Sequence, residues 1–208
     1  MSRVALALSL PLLAVFVTVL WLSVPPARLP ARFGPADCRR VAVEVPGIGA
    51  LAGIEDFALT ADGRAVLSAD DRLGHDAARS GLFLARTADL TGAGAVRAEP
   101  LGGVPGGTHP HGIALDAAGT RLAYVNRPAP GEAEVIWGRL DAARFRPEGR
   151  IGGAEFCRAN DLDFLGTDLL VTLDRADCGA GLADLLPGSA TGAVMHVRTA
   201  AGTADALA

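Results

Sequence analysis

The sequence predicts an all-β fold of the propeller type, with about three blades behind one N-terminal transmembrane helix. Three observations carry this expectation. A strand–turn–strand unit recurs three times; no long helix-period segment follows the apolar N-terminus; and residues 4–24 hold no charged side chain. Short strands at regular spacing, separated by glycine and aspartate turns, indicate a sandwich, barrel or propeller. Recurrence roughly every 50 residues separates these and favours blades of about four strands each.

The repeat is legible residue by residue. Glu55-Asp56-Phe57-Ala58-Leu59 leads through Ala61-Asp62-Gly63 into Ala65-Val66-Leu67-Ser68 and stops at Asp71-Arg72. His111-Gly112-Ile113-Ala114-Leu115 leads through Ala117-Ala118-Gly119 into Leu122-Ala123-Tyr124-Val125 and stops at Asn126-Arg127. Asn160-Asp161-Leu162-Asp163-Phe164 leads through Gly166-Thr167-Asp168 into Leu169-Leu170-Val171-Thr172 and stops at Asp174-Arg175. The terminal pairs read as strand-end pairing. His75 and His196 lie off the common positions and read as surface residues.

In chain order, residues 1–24 form the expected anchor. A span of about 20 apolar residues matches the hydrocarbon core of a bilayer, and Pro11 is tolerated in such a helix. A cleaved signal peptide is the competing reading, with Arg3 as a minimal basic start. Residues 25–37, rich in proline and arginine, read as a linker, and residues 38–208 as the partial propeller. Residues 40–45 alternate as a strand. The first repeat is extended by residues 81–86 and by a weaker strand near 95–101. The second is extended by residues 133–139 and 145–151, and the third by 193–198. The tail, residues 199–208, carries no strand signal.

Composition narrows the partners. The net charge of −4 gives no reason to expect nucleic acid, whose binders carry basic patches. All 19 basic residues other than histidine are arginine, and glutamine is absent, a codon-usage signature that suggests a bacterial source. The expected place is a single-pass membrane protein whose globular part is exported, periplasmic or extracellular. Three cysteines are an odd count for such a domain. Cys157 and Cys178 flank the third hairpin and can pair, which leaves Cys38 over; three buried free thiols are the alternative.

Residues at one repeat position gather around a propeller's axis. Here they are Glu55, Asp56, His111, Asn160 and Asp161. Three carboxylates and an amide oxygen make a hard, oxygen-rich set that suits calcium rather than zinc or copper. A backbone carbonyl of the 111–113 turn can complete a shell, with His111 beside the ion.

Several of these motifs also carry a resemblance. Gly53-Ile54-Glu55-Asp56, Pro110-His111-Gly112-Ile113, Tyr124-Val125-Asn126-Arg127-Pro128 and Asn160-Asp161 resemble the serum paraoxonase/arylesterase family of calcium-dependent lactonases, over residues 38–178 and as its N-terminal half. The resemblance implies a six-bladed propeller with two calcium ions in its channel. Glu55 and Asn160 match ligands of the catalytic ion; Asp56, Asp161 and the carbonyl of Ile113 match ligands of the structural ion. His111 matches the histidine proposed as general base. Cys38 is similar to the family's N-terminal disulfide cysteine. The family's second histidine falls at Arg127, which cannot relay a proton; His109 is the nearest stand-in. The remaining ligands and the partner of Cys38 come, in the family, from a later half of the propeller.

The resemblance therefore implies a hydrolase of lactones or aryl esters. Calcium would polarise the carbonyl and His111 would deprotonate water. Two rivals follow from Arg127 and the incomplete ring. One is a membrane-tethered propeller that binds a partner without catalysis, or an inactive truncated relic. The other is a half-propeller that closes by homodimerisation, three blades from each chain.

Overall fold

The structure is a computed structural model that describes residues 38–74, 76–175, 178 and 192–207. The chain divides into Met1–Arg40 and Val41–Ala208, and the sheets belong to the second unit.

Fourteen strands are described, in three sheets. The first sheet contains β1 (Val43–Val45), β2 (Gly49–Ala50), β3 (Ile54–Leu59), β4 (Arg64–Ala69), β5 (Gly81–Arg86) and β6 (Val96–Pro100), in the order β2-β1-β6-β5-β4-β3. The second contains β7 (Pro110–Leu115), β8 (Arg121–Asn126), β9 (Glu134–Asp141) and β10 (Arg144–Gly152), in the order β10-β9-β8-β7. The third contains β11 (Ala159–Leu165), β12 (Asp168–Leu173), β13 (Ala193–Arg198) and β14 (Thr203–Leu207), in sequence order. All pairings are antiparallel except β1 with β6, which brings the start of the domain onto the first sheet. The one described α-helix is α1 (Thr87–Thr91).

Each repeat becomes the hairpin that its turn residues demand. Gly63, Gly119 and Gly166 occupy equivalent turns with φ of 81°, 67° and 64°, a region that costs a residue with a Cβ but not glycine. In the first two turns, Gly63 N–H donates to the Thr60 carbonyl (3.2 Å) and Gly119 N–H to the Asp116 carbonyl (2.8 Å).

The second strands explain why the sheets stack. On β4, Ala65 and Leu67 face one cluster while Val66 faces the next. On β8, Leu122 and Tyr124 join Val66, Leu84 and Phe145, whereas Ala123 and Val125 join Phe156, Leu162 and Val171. Successive side chains point to opposite faces of a strand, so an unbroken apolar run serves two cores at once. Tyr124 sits edge-on to Phe145, ring centroids 5.7 Å apart at 67°. Each such aromatic pair contributes about 1 kcal/mol beyond its burial. With the sheets stacked in this way, β7 lies beside both β3 and β11.

Several expectations are corrected. The described residues support a mostly β chain with three sheets and almost no helix, in place of a propeller fragment behind a transmembrane helix. No helix among the described residues is long and apolar enough to cross a membrane. The helix α1 has 5 residues, against about 20 for a span. The expected anchor at residues 4–24 and the linker at 25–37 lie outside the described residues, as does His75. The expected single-pass, exported localisation has no support among the described helices. The tail does form a strand: β14 pairs with β13 from Thr203 to Leu207 through its backbone, so small, exposed side chains concealed it.

The expected disulfide is present. Cys157 and Cys178 are bonded, their Cα atoms 5.7 Å apart, within the usual range. The bond ties the entry of β11 to the segment after β12 across 21 positions. Loop closure on that scale contributes about 3 kcal/mol. Cys38 is free and exposed.

Candidate functional site

The three first strands are irregular at the same place. The pairing register shifts between Ile54 and Asp56 in β3, between Pro110 and Ile113 in β7, and between Ala159 and Asp161 in β11. The residues left out of register are Glu55, His111 with Gly112, and Asn160. An extra residue breaks the ladder locally and re-aims its side chain, a device common beside functional sites. The repeat thus positions its polar residues through backbone geometry.

Short contacts join these bulges. Asp56 accepts two backbone N–H groups, Phe57 on Oδ1 (2.7 Å) and Ile113 on Oδ2 (2.9 Å). Ser68, wholly buried, donates to the His111 carbonyl (2.6 Å), and its Oγ lies 3.4 Å from the Asp56 carbonyl. On the other side of β7, a Cβ on Gly112 would stand 2.4 Å from Asp161 Oδ1 and 2.7 Å from the Asn160 carbonyl. Glycine is what allows β7 and β11 to approach here. Asp161 Oδ1 also accepts from Leu162 N–H (2.8 Å). The structure therefore brings Glu55, Asp56, His111, Ile113, Asn160 and Asp161 to one end of three neighbouring strands.

The donors suit a hard cation in kind: three carboxylates, an amide and a backbone carbonyl. Each carboxylate oxygen keeps a lone pair after accepting one N–H. They are not gathered as a finished shell. Among the described residues, no three His, Cys, Asp or Glu side chains group so as to hold a metal. Glu55 is instead engaged by Arg72 at 2.7 Å, with His111 Nδ1 3.6 Å away. Burial lowers the pKa of His111, and the charge of Arg127 lowers it further, against an opposing pull from Glu55. The ring is therefore biased toward its neutral form.

Beside this cluster opens a cleft of about 660 Å³, lined by Asp70, Arg72, Ser80, His109, Arg127 and Asp174 among others. His109 lines it and His111 does not. Asp70, 6% exposed, sits in its wall. It receives His109 Nδ1 (2.9 Å) and Ser80 Oγ (3.2 Å) on Oδ1, and Arg72 Nε (3.0 Å) on Oδ2. Burial alone would raise the Asp70 pKa; the hydrogen bonds from His109, Arg72 and Ser80 outweigh it and hold the carboxyl below its usual value. With Asp70 ionised, Nδ1 of His109 is the proton-bearing nitrogen.

Of the strand-end pairs, Asn126-Arg127 clamps the segments on either side of it. Asn126 accepts His109 N–H (2.7 Å) and donates to Glu134 (2.9 Å). Arg127 donates to the Ala159 carbonyl through Nε (3.0 Å) and lies 3.9 Å from Asp174. His196 is not a free surface residue, since its Nε2 meets Asp168 at 3.1 Å. Asp70 and Ser80 were absent from the sequence-derived set. The repeat marks Asp71 rather than Asp70, and nothing local relates either acid to a histidine 39 positions on. Compared with known proteins, the chain matches no family model and no curated protein, so the chemistry of this site rests on its own residues.

Proposed function

We propose that the chain is a calcium-dependent hydrolase of lactones or aryl esters. The observation that carries this reading is the bulge shared by β3, β7 and β11, which turns Glu55, Asp56, Asn160 and Asp161 and the Ile113 segment toward one strand end. The motifs at those bulges are the ones that resemble the paraoxonase/arylesterase family. Glu55 and Asn160 would hold the ion that meets substrate, and Asp56, Asp161 and the Ile113 carbonyl one that braces the strands. Bound calcium supplies a Lewis acid for the ester carbonyl. The chain supplies the rest: a cleft of a size usual for small ligands, with His109 in its lining at the entry to β7 and His111 two residues on. The resemblance assigns the base to His111, whose neutral bias suits proton uptake.

The test is hydrolysis of phenyl acetate and dihydrocoumarin by the full chain, with calcium and after chelation by EGTA. Turnover that disappears with EGTA, returns with calcium and falls in Glu55→Gln supports the reading. A rate indifferent to calcium, or no rate above the blank, overturns it. The engagement of Glu55 by Arg72 favours one rival, a ligand-binding domain without catalysis; binding of an ester to the cleft without turnover would establish that.

A further inference from the structure

Two histidines two positions apart have opposite surroundings. His111 has a side chain 16% exposed, its carbonyl fixed by Ser68, and no place in the cleft wall. His109 has a side chain 35% exposed and lines the cleft. Its backbone is held at both ends, N–H by Asn126 Oδ1 (2.7 Å) and carbonyl by Arg127 N–H (2.9 Å). Its ring is held by Asp70 at 2.9 Å, and Asp70 is itself braced by Ser80 and Arg72. A buried carboxylate that accepts a hydrogen bond from Nδ1–H fixes both the tautomer and the orientation of an imidazole, leaving Nε2 with a lone pair.

We infer that His109, oriented by Asp70, is the proton acceptor that meets substrate in this cleft, and that His111 belongs to the framework joining the three first strands. This rests on the hydrolase reading above and changes its catalytic assignment. In the step, an O–H bond of water breaks and the proton passes to His109 Nε2 while the water oxygen bonds to the acyl carbon. The acyl C–O bond to the leaving oxygen then breaks, and that oxygen takes the proton from Nε2. One acid and one alcohol result, on the same molecule for a lactone, and water is the sole co-reactant. Arg127, in the same wall, presents a cation to the oxygen that becomes negative. Asp70 is a positioning residue.

The experiment compares His109→Ala, His109→Gln and His111→Gln in the full chain, assayed on phenyl acetate with and without added imidazole. Loss of a positioned base costs on the order of 100-fold or more in kcat. The expected result is that loss in both His109 variants with KM little changed, and partial recovery of His109→Ala by imidazole, which a purely structural defect would not show. Wild-type kcat in the His109 variants, with the loss confined to His111→Gln, overturns the assignment and leaves the hydrolase reading intact. Absence of hydrolysis by the unmodified chain defeats the hydrolase reading and this assignment with it. Should the variants fail to fold, long-range nitrogen–proton NMR of the unmodified chain decides. A proton on His109 Nδ1 that shifts in Asp70→Asn supports the pairing, and a proton fixed on Nε2 overturns it.

Discussion

The backbone N–H of Ile113 donates to Asp56 Oδ2 at 2.9 Å, so the second sheet's first strand is fastened to a carboxylate from the first sheet. The other oxygen of Asp56 holds Phe57 N–H at the bulge of its own strand. One side chain thus sets a local irregularity and a contact between sheets. Asp56→Ala leaves both N–H groups without that acceptor, and each unmet donor costs about 1–3 kcal/mol where water cannot replace it. The midpoint of urea unfolding should fall accordingly, and Asp56→Asn, which keeps one acceptor, should fall less.

Gly112 supplies the second join. A Cβ there would meet Asp161 Oδ1 at 2.4 Å, Asp161 Cα at 2.5 Å and the Asn160 carbonyl at 2.7 Å, and two of these are backbone atoms that cannot swing aside. Gly112→Ala should therefore separate β7 from β11 and lower stability by about 1–3 kcal/mol, the usual cost of overpacking. Gly94, with nothing within 4 Å of its Cβ position, is the control. Gly94→Ala should stay within about 0.5 kcal/mol of the parent in the same melt.

Asp70 gives the chain a defined acid response. Its pKa in the fold lies below the ordinary 3.8, because the bonds from His109, Arg72 and Ser80 overcome burial. The unfolded chain thus binds the proton more readily than the folded one, and stability rises with pH in that interval. The contribution is complete above the unfolded value and is lost as pH falls through the folded value. Thermal melts of the parent and Asp70→Asn should differ by a constant amount at mildly acidic pH. The gap should close as pH drops below 3.8.

Much of this was legible because the repeat writes its geometry in residue types. Gly63, Gly119 and Gly166 mark the turns, and their positive φ is why glycine recurs there. Ala65 to Leu67 and Leu122 to Val125 are apolar throughout because β4 and β8 are buried on both faces. Glu55, His111 and Asn160 could be aligned by counting, and the shared bulge is the physical content of that alignment. What sequence could not show is partnership across sheets. The choice of Asp70 over Asp71 as the mate of His109 depends on how β4 ends beside the entry to β7, and no periodicity encodes it. The β14 strand was hidden for a different reason, since backbone ladders leave no mark on small exposed side chains.

Calcium should act on stability as well as on rate. Glu55, Asp56, Asn160 and Asp161 come from two strands with β7 between them, so an ion held jointly would brace contacts that now depend on Asp56 and Gly112. A ligand that binds only the folded state stabilises it by about 2.7 kcal/mol at a concentration 100 times its Kd. Millimolar calcium should therefore raise the melting temperature of the unmodified chain, and magnesium, which demands a tighter octahedral shell, should raise it less. Asp161→Asn should blunt the calcium shift. Glu55→Gln should blunt it too, although the loss of the Arg72 contact at 2.7 Å also moves its baseline. A melting temperature unmoved by calcium in the unmodified chain would mean that Arg72 and the backbone N–H groups already satisfy these carboxylates. That outcome would count against the calcium-dependent reading, and with it against the His109 assignment that rests on it.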